Sequence, residues 1–162
     1  MEFCEAVKVI LKHEGGYVND PNDPGGETKY GISKRAYPKL DIKRLTKKEA
    51  RKIYKKDYWD KNKADRLPPQ VRLAAFDFAV NSGVYRSISL IQKVAKVKRD
   101  GVLGPKTLKQ ISLMNPAKLA ETFLKERTYF YFRNKNFHLY GKGWMKRLVD
   151  IAYKSSTFDP IS

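Results

Sequence analysis

Between Pro69 and Gly83 the chain reads QVRLAAFDFAVNS, and a helix drawn through it carries apolar residues on every side. Val71, Leu73, Ala74, Ala75, Phe76, Phe78, Ala79 and Val80 leave almost no polar face, so such a helix is stable only when other elements surround it. The chain is thereby constrained to a body built around one central helix. Asp77 and Asn81, four apart on it, must find partners there, because an unpaired buried polar group costs about 1–3 kcal/mol. Two roles are open to them. Tying the central helix to the loop after the first helix suits Asp77; touching a bound ligand suits Asn81, which stands near the helix end beside Gly83 and Tyr85.

The surrounding elements are also helical. Thr46-Lys47-Lys48-Glu49 is a capping box, opening a helix expected to end near Trp59 with Ala50, Ile53, Tyr54 and Asp57 on one face. Periodicity predicts an amphipathic helix over 87–97 and another from Pro105. Asn115-Pro116, a cap followed by proline in the first helical position, opens a long helix to about Arg133, and a last helix is expected over 142–154. Trp59 and Trp144 fall on helical stripes and read as core. At 162 residues the chain fits one domain with an adequate core, and it has neither an internal repeat nor a low-complexity linker. The expected fold class is mainly α.

At the start of the chain Phe3, Val7, Ile10 and Leu11 recur at helical spacing, and Glu14 falls on the same apolar stripe. Gly15 and Gly16 are natural left-handed terminators, which puts Glu14 in the last turn. The negative end of the helix dipole and partial burial both disfavour its charged form there. A carboxyl kept protonated near neutrality is a general acid, the group that glycosidic cleavage needs to protonate a poor leaving group. The next segment, YVNDPNDPGGETKYGI, holds two Asp-Pro steps and a Gly-Gly pair that force turns, and residues 28–32 suit a short strand or hairpin. Such a loop can fold back over the helix end. It offers Asp20, Asp23, Glu27 and Thr28 as the second polar group that a glycosidase requires opposite its acid. Thr28 does not titrate, but its hydroxyl can hold an attacking water.

Four runs carry a specific likeness: Glu14-Gly15-Gly16-Tyr17 with the stretch from Asp20 through Asp23 and Thr28 to Ser33; Ala75 to Gly83; Asp100 to Leu108; and Gly141 to Leu148. Together they resemble glycoside hydrolase family 108, the bacteriophage endolysin-type muramidases, whose relatives act as cell-wall enzymes in protein secretion. The resemblance implies a lysozyme-like helical domain and hydrolysis of the β-1,4 bond between N-acetylmuramic acid and N-acetylglucosamine in bacterial peptidoglycan. It carries the catalytic glutamate onto Glu14. Asp23 and Thr28, in that order, are the choices for the second catalytic group. Residues 1–96 correspond to the muramidase region, and 97–162 to a C-terminal helical region resembling a peptidoglycan-binding domain. The junction at 97–100 contains no flexible linker, so the two are expected to pack as one body. Asp100, Gly101, Gly104 and Pro105 have two readings, a helix-joining turn and wall binding. Tyr17, Tyr30 and Tyr85 are the aromatic candidates for a glycan groove, since such rings offer apolar faces to sugars.

Thirty-four Lys and Arg stand against 17 Asp and Glu, a net charge of +17. That balance calls for a polyanionic partner, either the anionic cell envelope or nucleic acid. No recognition-helix signature is present, so no specific nucleic-acid partner is expected. A non-catalytic wall-binding or phage structural protein is the other alternative to an enzyme. Cys4 has no partner for an intramolecular disulfide and reads as a small apolar residue on the first helix. Two histidines without further cysteines do not make a zinc site, so neither metal nor cofactor is expected. Glu5 and Lys8 interrupt the first apolar run, which does not read as a signal peptide, and no stretch is long enough to cross a membrane as a helix. The expected setting is a monomer made in the bacterial cytoplasm that reaches the wall or periplasm through a holin-type or other export agent, the last step being implied by the resemblance.

Overall fold

The computed structural model describes residues 1–19 and 26–157. Within them the chain is mainly α, as expected, with seven α-helices and one two-stranded antiparallel hairpin that follows the first helix. Asp20 and Asp23 lie outside the described residues. The chain divides into two compact units, one of Phe3–Asp57 and one of Met1–Glu2 with the chain from Tyr58 onward. Among the described residues no helix is long and apolar enough to cross a membrane.

In the first unit, α1 (Phe3–His13) buries Ala6, Val7 and Ile10, while Cys4 on the same helix is exposed. Strands β1 (Thr28–Lys29) and β2 (Ile32–Ser33) pair Thr28 with Ser33 and Lys29 with Ile32. The turn is Tyr30-Gly31, with φ of 52° and 74°. Positive φ at both central residues is what a type I′ turn requires, and its twist matches that of the flanking strands. Helix α2 (Lys47–Tyr54) opens on the capping box: Thr46 Oγ1 accepts from the Glu49 N–H at 3.2 Å, and Glu49 Oε2 accepts from the Thr46 N–H at 2.8 Å. After Tyr54 the helix widens into π turns over Lys55–Asp60 rather than continuing as α-helix to Trp59. Bonding from i to i+5 brings residues five apart onto one side, which is how Tyr54 and Trp59 both become buried.

In the second unit, α3 (Pro69–Ser82) is the central helix, packed against α4 (Val84–Val94), α6 (Pro116–Phe132) and α7 (Phe137–Ser156). Val71 and every residue from Leu73 to Ala79 are buried. Phe78 meets the rings of Phe123, Phe130 and Tyr131 edge-on, with centroids 5.1–6.1 Å apart. Trp59 is fully buried against Phe76, whereas Trp144 is only half-buried. Asn115 caps α6 by accepting from the Lys118 N–H at 3.0 Å, with Pro116 in the first turn. Two helices start earlier than periodicity predicts, α4 at Val84 and α7 at Phe137. In α7 the glycines that look like a helix opening lie inside it, and the Phe137 ring covers buried Gly141.

The stretch from Asp100 into α5 (Pro105–Ser112) is a turn pinned by buried Gln92. Its Nε2 donates to Asp100 Oδ1 at 2.7 Å and to the Val102 carbonyl at 3.0 Å, and its Oε1 accepts from the Gly101 N–H at 2.9 Å. The Asp100 carboxylate, which also accepts from the Val102 N–H, is held below its usual pKa first of all by the Gln92 hydrogen bond. Gly101, at φ 73°, lies under the Tyr85 ring, where a Cβ would approach to 2.2 Å. These contacts give the motif a turn-shaping role.

Candidate active site

Glu14 closes the last turn of α1, its N–H donating to the Ile10 carbonyl at 3.1 Å. Beyond Gly15 and Gly16 the chain is stitched to the hairpin at two places. The Tyr30 N–H donates to the Gly15 carbonyl at 3.1 Å, and Val18 and Thr28 exchange two backbone bonds of 2.8 Å. The segment therefore folds back on the helix end. Its closest approach is at Gly31: a Cβ there would lie 2.5 Å from Glu14 Oε2 and 2.6 Å from the Tyr54 hydroxyl oxygen. The half-buried Glu14 carboxyl and the Tyr54 hydroxyl thus converge on the tip of the hairpin. Tyr54, buried in α2, donates to the Tyr30 carbonyl at 2.7 Å and so helps fix that tip.

Tyr30 holds a left-handed backbone that costs a non-glycine residue about 1–2 kcal/mol. Residues kept in sparsely populated backbone regions cluster at functional sites. The Lys29 ammonium sits 5.5 Å from the centre of its ring. Tyr17, about two-fifths exposed, donates its hydroxyl to Glu27 Oε1 at 2.8 Å. That bond to a carboxylate stabilises the protonated phenol and raises its pKa above the usual 10. Glu14, Tyr17, Thr28 and Tyr30 accordingly belong to one hydrogen-bonded segment of the first unit. Asp23 falls outside the described residues. Glu27 is engaged by Tyr17.

Asn81 and Tyr85 belong to the second unit, where a buried ionic network governs the end of α3. Both oxygens of fully buried Asp77 are taken by arginines, Oδ2 by Arg127 of α6 at 2.5 Å and Oδ1 by Arg147 of α7 at 2.8 Å. Asp77 therefore braces α3 to α6 and α7 rather than holding the loop near Glu14. The Tyr131 hydroxyl accepts from Arg127 Nε at 3.0 Å and from Nη2 at 2.8 Å, and donates to Asn81 Oδ1 at 2.9 Å. A hydroxyl has one donor and two acceptor sites, so this one is saturated. The Asn81 oxygen is thereby assigned to Tyr131, and its NH₂ is left for other partners. Burial pushes the Tyr131 phenol above its usual pKa of 10. Asn81 opens onto a cavity of about 520 Å³ within the second unit, while Tyr85, 62% exposed, presents one face outward over Gly101.

Sequence reasoning missed Gly31 and Tyr54 as partners of the acid, although both were in view, one in the Tyr-Gly-Ile run and one on the capped helix face. It also missed Arg127 and Arg147, whose tie to Asp77 spans fifty and seventy residues. Among the described residues no cluster of His, Cys, Asp and Glu is arranged to hold a metal ion.

The model of the glycosyl hydrolase 108 family matches residues 7–83, a stretch that runs from α1 through the hairpin to the end of α3. A solved structure, that of SagA from Brucella abortus, is 35% identical to this chain, covers 99% of it and is itself covered over 97% of its length, with a TM-score of 0.89. No curated protein matches the chain. With Glu14 and its hairpin inside the matched region, and the likeness to a solved relative running almost end to end, the chain belongs to the glycosyl hydrolase 108 family and is a glycoside hydrolase.

Proposed function

We propose that the chain is a peptidoglycan hydrolase, an N-acetylmuramidase that cleaves the β-1,4 bond between N-acetylmuramic acid and N-acetylglucosamine with Glu14 as general acid. The observation that carries this reading is the placement of the Glu14 carboxyl against Gly31, at the tip of a hairpin stitched to the end of its own helix. A carboxyl set against the hairpin tip has less orientational freedom to lose when a substrate arrives, which favours proton transfer to the leaving oxygen. Thr28, anchored to Val18 by two backbone bonds, would hold a water with its hydroxyl. Asp23 is the first choice for the second group, as the carboxylate that stabilises the oxocarbenium-like transition state, with Thr28 second. Tyr17 and Tyr30 supply aromatic faces to the glycan in the first unit, and Asn81 and Tyr85 supply an amide and an aromatic face in the second.

The net charge of +17 supports action at an anionic envelope, with a rate that falls as salt screens the attraction. Under this reading the protein works at the wall or periplasm, as phage endolysins and secretion-linked wall enzymes do, and reaches it with the help of an export agent. Residues 97–162 contribute wall contacts.

Product identity tests the linkage. Peptidoglycan digested by the protein, reduced with borohydride and hydrolysed, is expected to yield muramitol. Glucosaminitol in its place would make the protein a glucosaminidase, and 1,6-anhydro ends would make it a lytic transglycosylase.

A further inference from the structure

One cavity of the second unit carries more cationic groups than a neutral glycan calls for. This cavity of about 520 Å³ has a floor of Leu90, Phe130, Tyr131 and Trp144, on which the Tyr131 and Trp144 rings stack at 5.2 Å. Around it stand four cations, Arg86, Lys93, Arg99 and Arg133, against a single carboxylate, Glu126. Lys93 is paired with that carboxylate, which leaves the three arginines as the net charge of the site.

The arginines are partly fixed and partly unused. Arg86 gives Nη1 to the Ser82 carbonyl at 3.0 Å, and Arg99 gives Nε to Ser89 Oγ at 3.1 Å. Among the described residues the Arg133 guanidinium has no protein partner. A guanidinium has five donors in a planar fork, so each of these groups retains the pair of N–H bonds that matches a carboxylate. Asn81 adds a neutral donor, its NH₂, because Tyr131 occupies its oxygen. Neutral sugars need no such charge. Phosphodiester polymers are met by long basic tracks, whereas this is a cavity of the volume that encloses a small ligand, with an apolar floor.

We propose that this cavity is a subsite for a short peptide bearing several carboxylates, and, on the peptidoglycan reading above, that the peptide is the stem attached to the glycan. Methyl and methylene groups of the peptide rest on Trp144 and Phe130, and its carboxylates meet Arg86, Arg99 and Arg133. The enzyme would thereby select peptide-bearing glycan over bare chitin-like chains.

Calorimetric titration with the soluble tripeptide Ala-γ-Glu-diaminopimelate tests the subsite without any bond being cleaved. The wild type is expected to bind it, and the same peptide with amidated carboxylates is expected to bind at least about tenfold more weakly, as the loss of a hydrogen bond to a charged group implies. Arg86→Gln with Arg133→Gln should weaken the acidic peptide by a similar factor, while Lys109→Gln with Lys142→Gln, which removes the same two charges at exposed positions outside the cavity, should change it less than about twofold. Absence of binding, equal binding of the amidated peptide, equal binding by the double variant, or tighter binding of a phosphate-bearing oligonucleotide at the same ionic strength would overturn the proposal. Peptide binding by a protein that releases no sugar ends would keep the subsite and remove the hydrolase reading. Hydrolysis without peptide binding would do the reverse.

Discussion

Gly31 and Glu14 exclude any larger residue between them: a Cβ at position 31 would stand 2.5 Å from Glu14 Oε2, closer than real Cβ contacts come. The acid and the hairpin tip are therefore one structural unit. Gly31→Ala is expected to add strain of about 1–2 kcal/mol from its left-handed backbone and to displace the Glu14 carboxyl as well. Gly26→Ala is the control, since Gly26 also has positive φ but only Lys34 Cβ near, at 3.8 Å. Urea denaturation should show a loss of stability in both variants, and wall hydrolysis should fall sharply only for Gly31→Ala.

Tyr54 holds the same tip from inside the first unit. Tyr54→Phe leaves the part-buried Tyr30 carbonyl without its 2.7 Å donor, which should cost about 1 kcal/mol. The midpoint of chemical unfolding should drop accordingly. Turnover should drop beyond what the unfolded fraction explains, because the hairpin that borders Glu14 loses its brace.

Asp77 and Arg127 are both fully buried, and removing one partner strands the other charge. Asp77→Ala should destabilise by about 3–5 kcal/mol, enough to populate unfolded chains at ordinary temperature. Glu121→Ala removes an exposed partner of Lys118 and Lys125 and should leave the unfolding midpoint nearly unchanged. Equal effects of the two substitutions would contradict the buried network.

The Tyr131 phenol gives this network an alkaline limit. Its folded pKa is raised above 10, so the linked stability is fully present below about pH 10 and is lost as pH climbs through the higher folded value. Between these values only the unfolded chain releases the proton. Tyr131→Phe has no proton to release, so the stability gap between wild type and variant should narrow between about pH 8 and about pH 11 in urea unfolding. A gap independent of pH would mean that the phenol ionises alike in both states.

Signals confined to a few neighbouring residues were legible in the sequence. Thr46 with Glu49, and Asn115 with Pro116, specify helix starts through contacts within one turn, and both starts are where the pattern puts them. The apolar run of α3 announced a buried helix because no face was left for water. The hairpin was foreseen as an element, but its turn, Tyr30-Gly31, lacks the asparagine or aspartate that usually marks two positive φ values. The start of α7 was misplaced because Gly141 reads as a breaker until the Phe137 ring is known to cover it. Arg127 could be placed on the inner stripe of α6, but a stripe does not say which buried acid it meets. Likewise Arg86, Arg99 and Arg133 look like ordinary surface charges until the fold gathers them around one cavity.

The central claim is that Glu14 supplies the proton for glycosidic cleavage, and the direct test is release of reducing ends from purified peptidoglycan by wild type and Glu14→Gln. The substitution keeps the shape of the side chain and removes its titratable proton. With folding verified by circular dichroism, the variant should lose about 10²–10⁴-fold in rate, the usual contribution of a general acid. Equal release by both proteins would place the acid elsewhere, and no release by the wild type at any salt concentration would contradict the hydrolase reading itself.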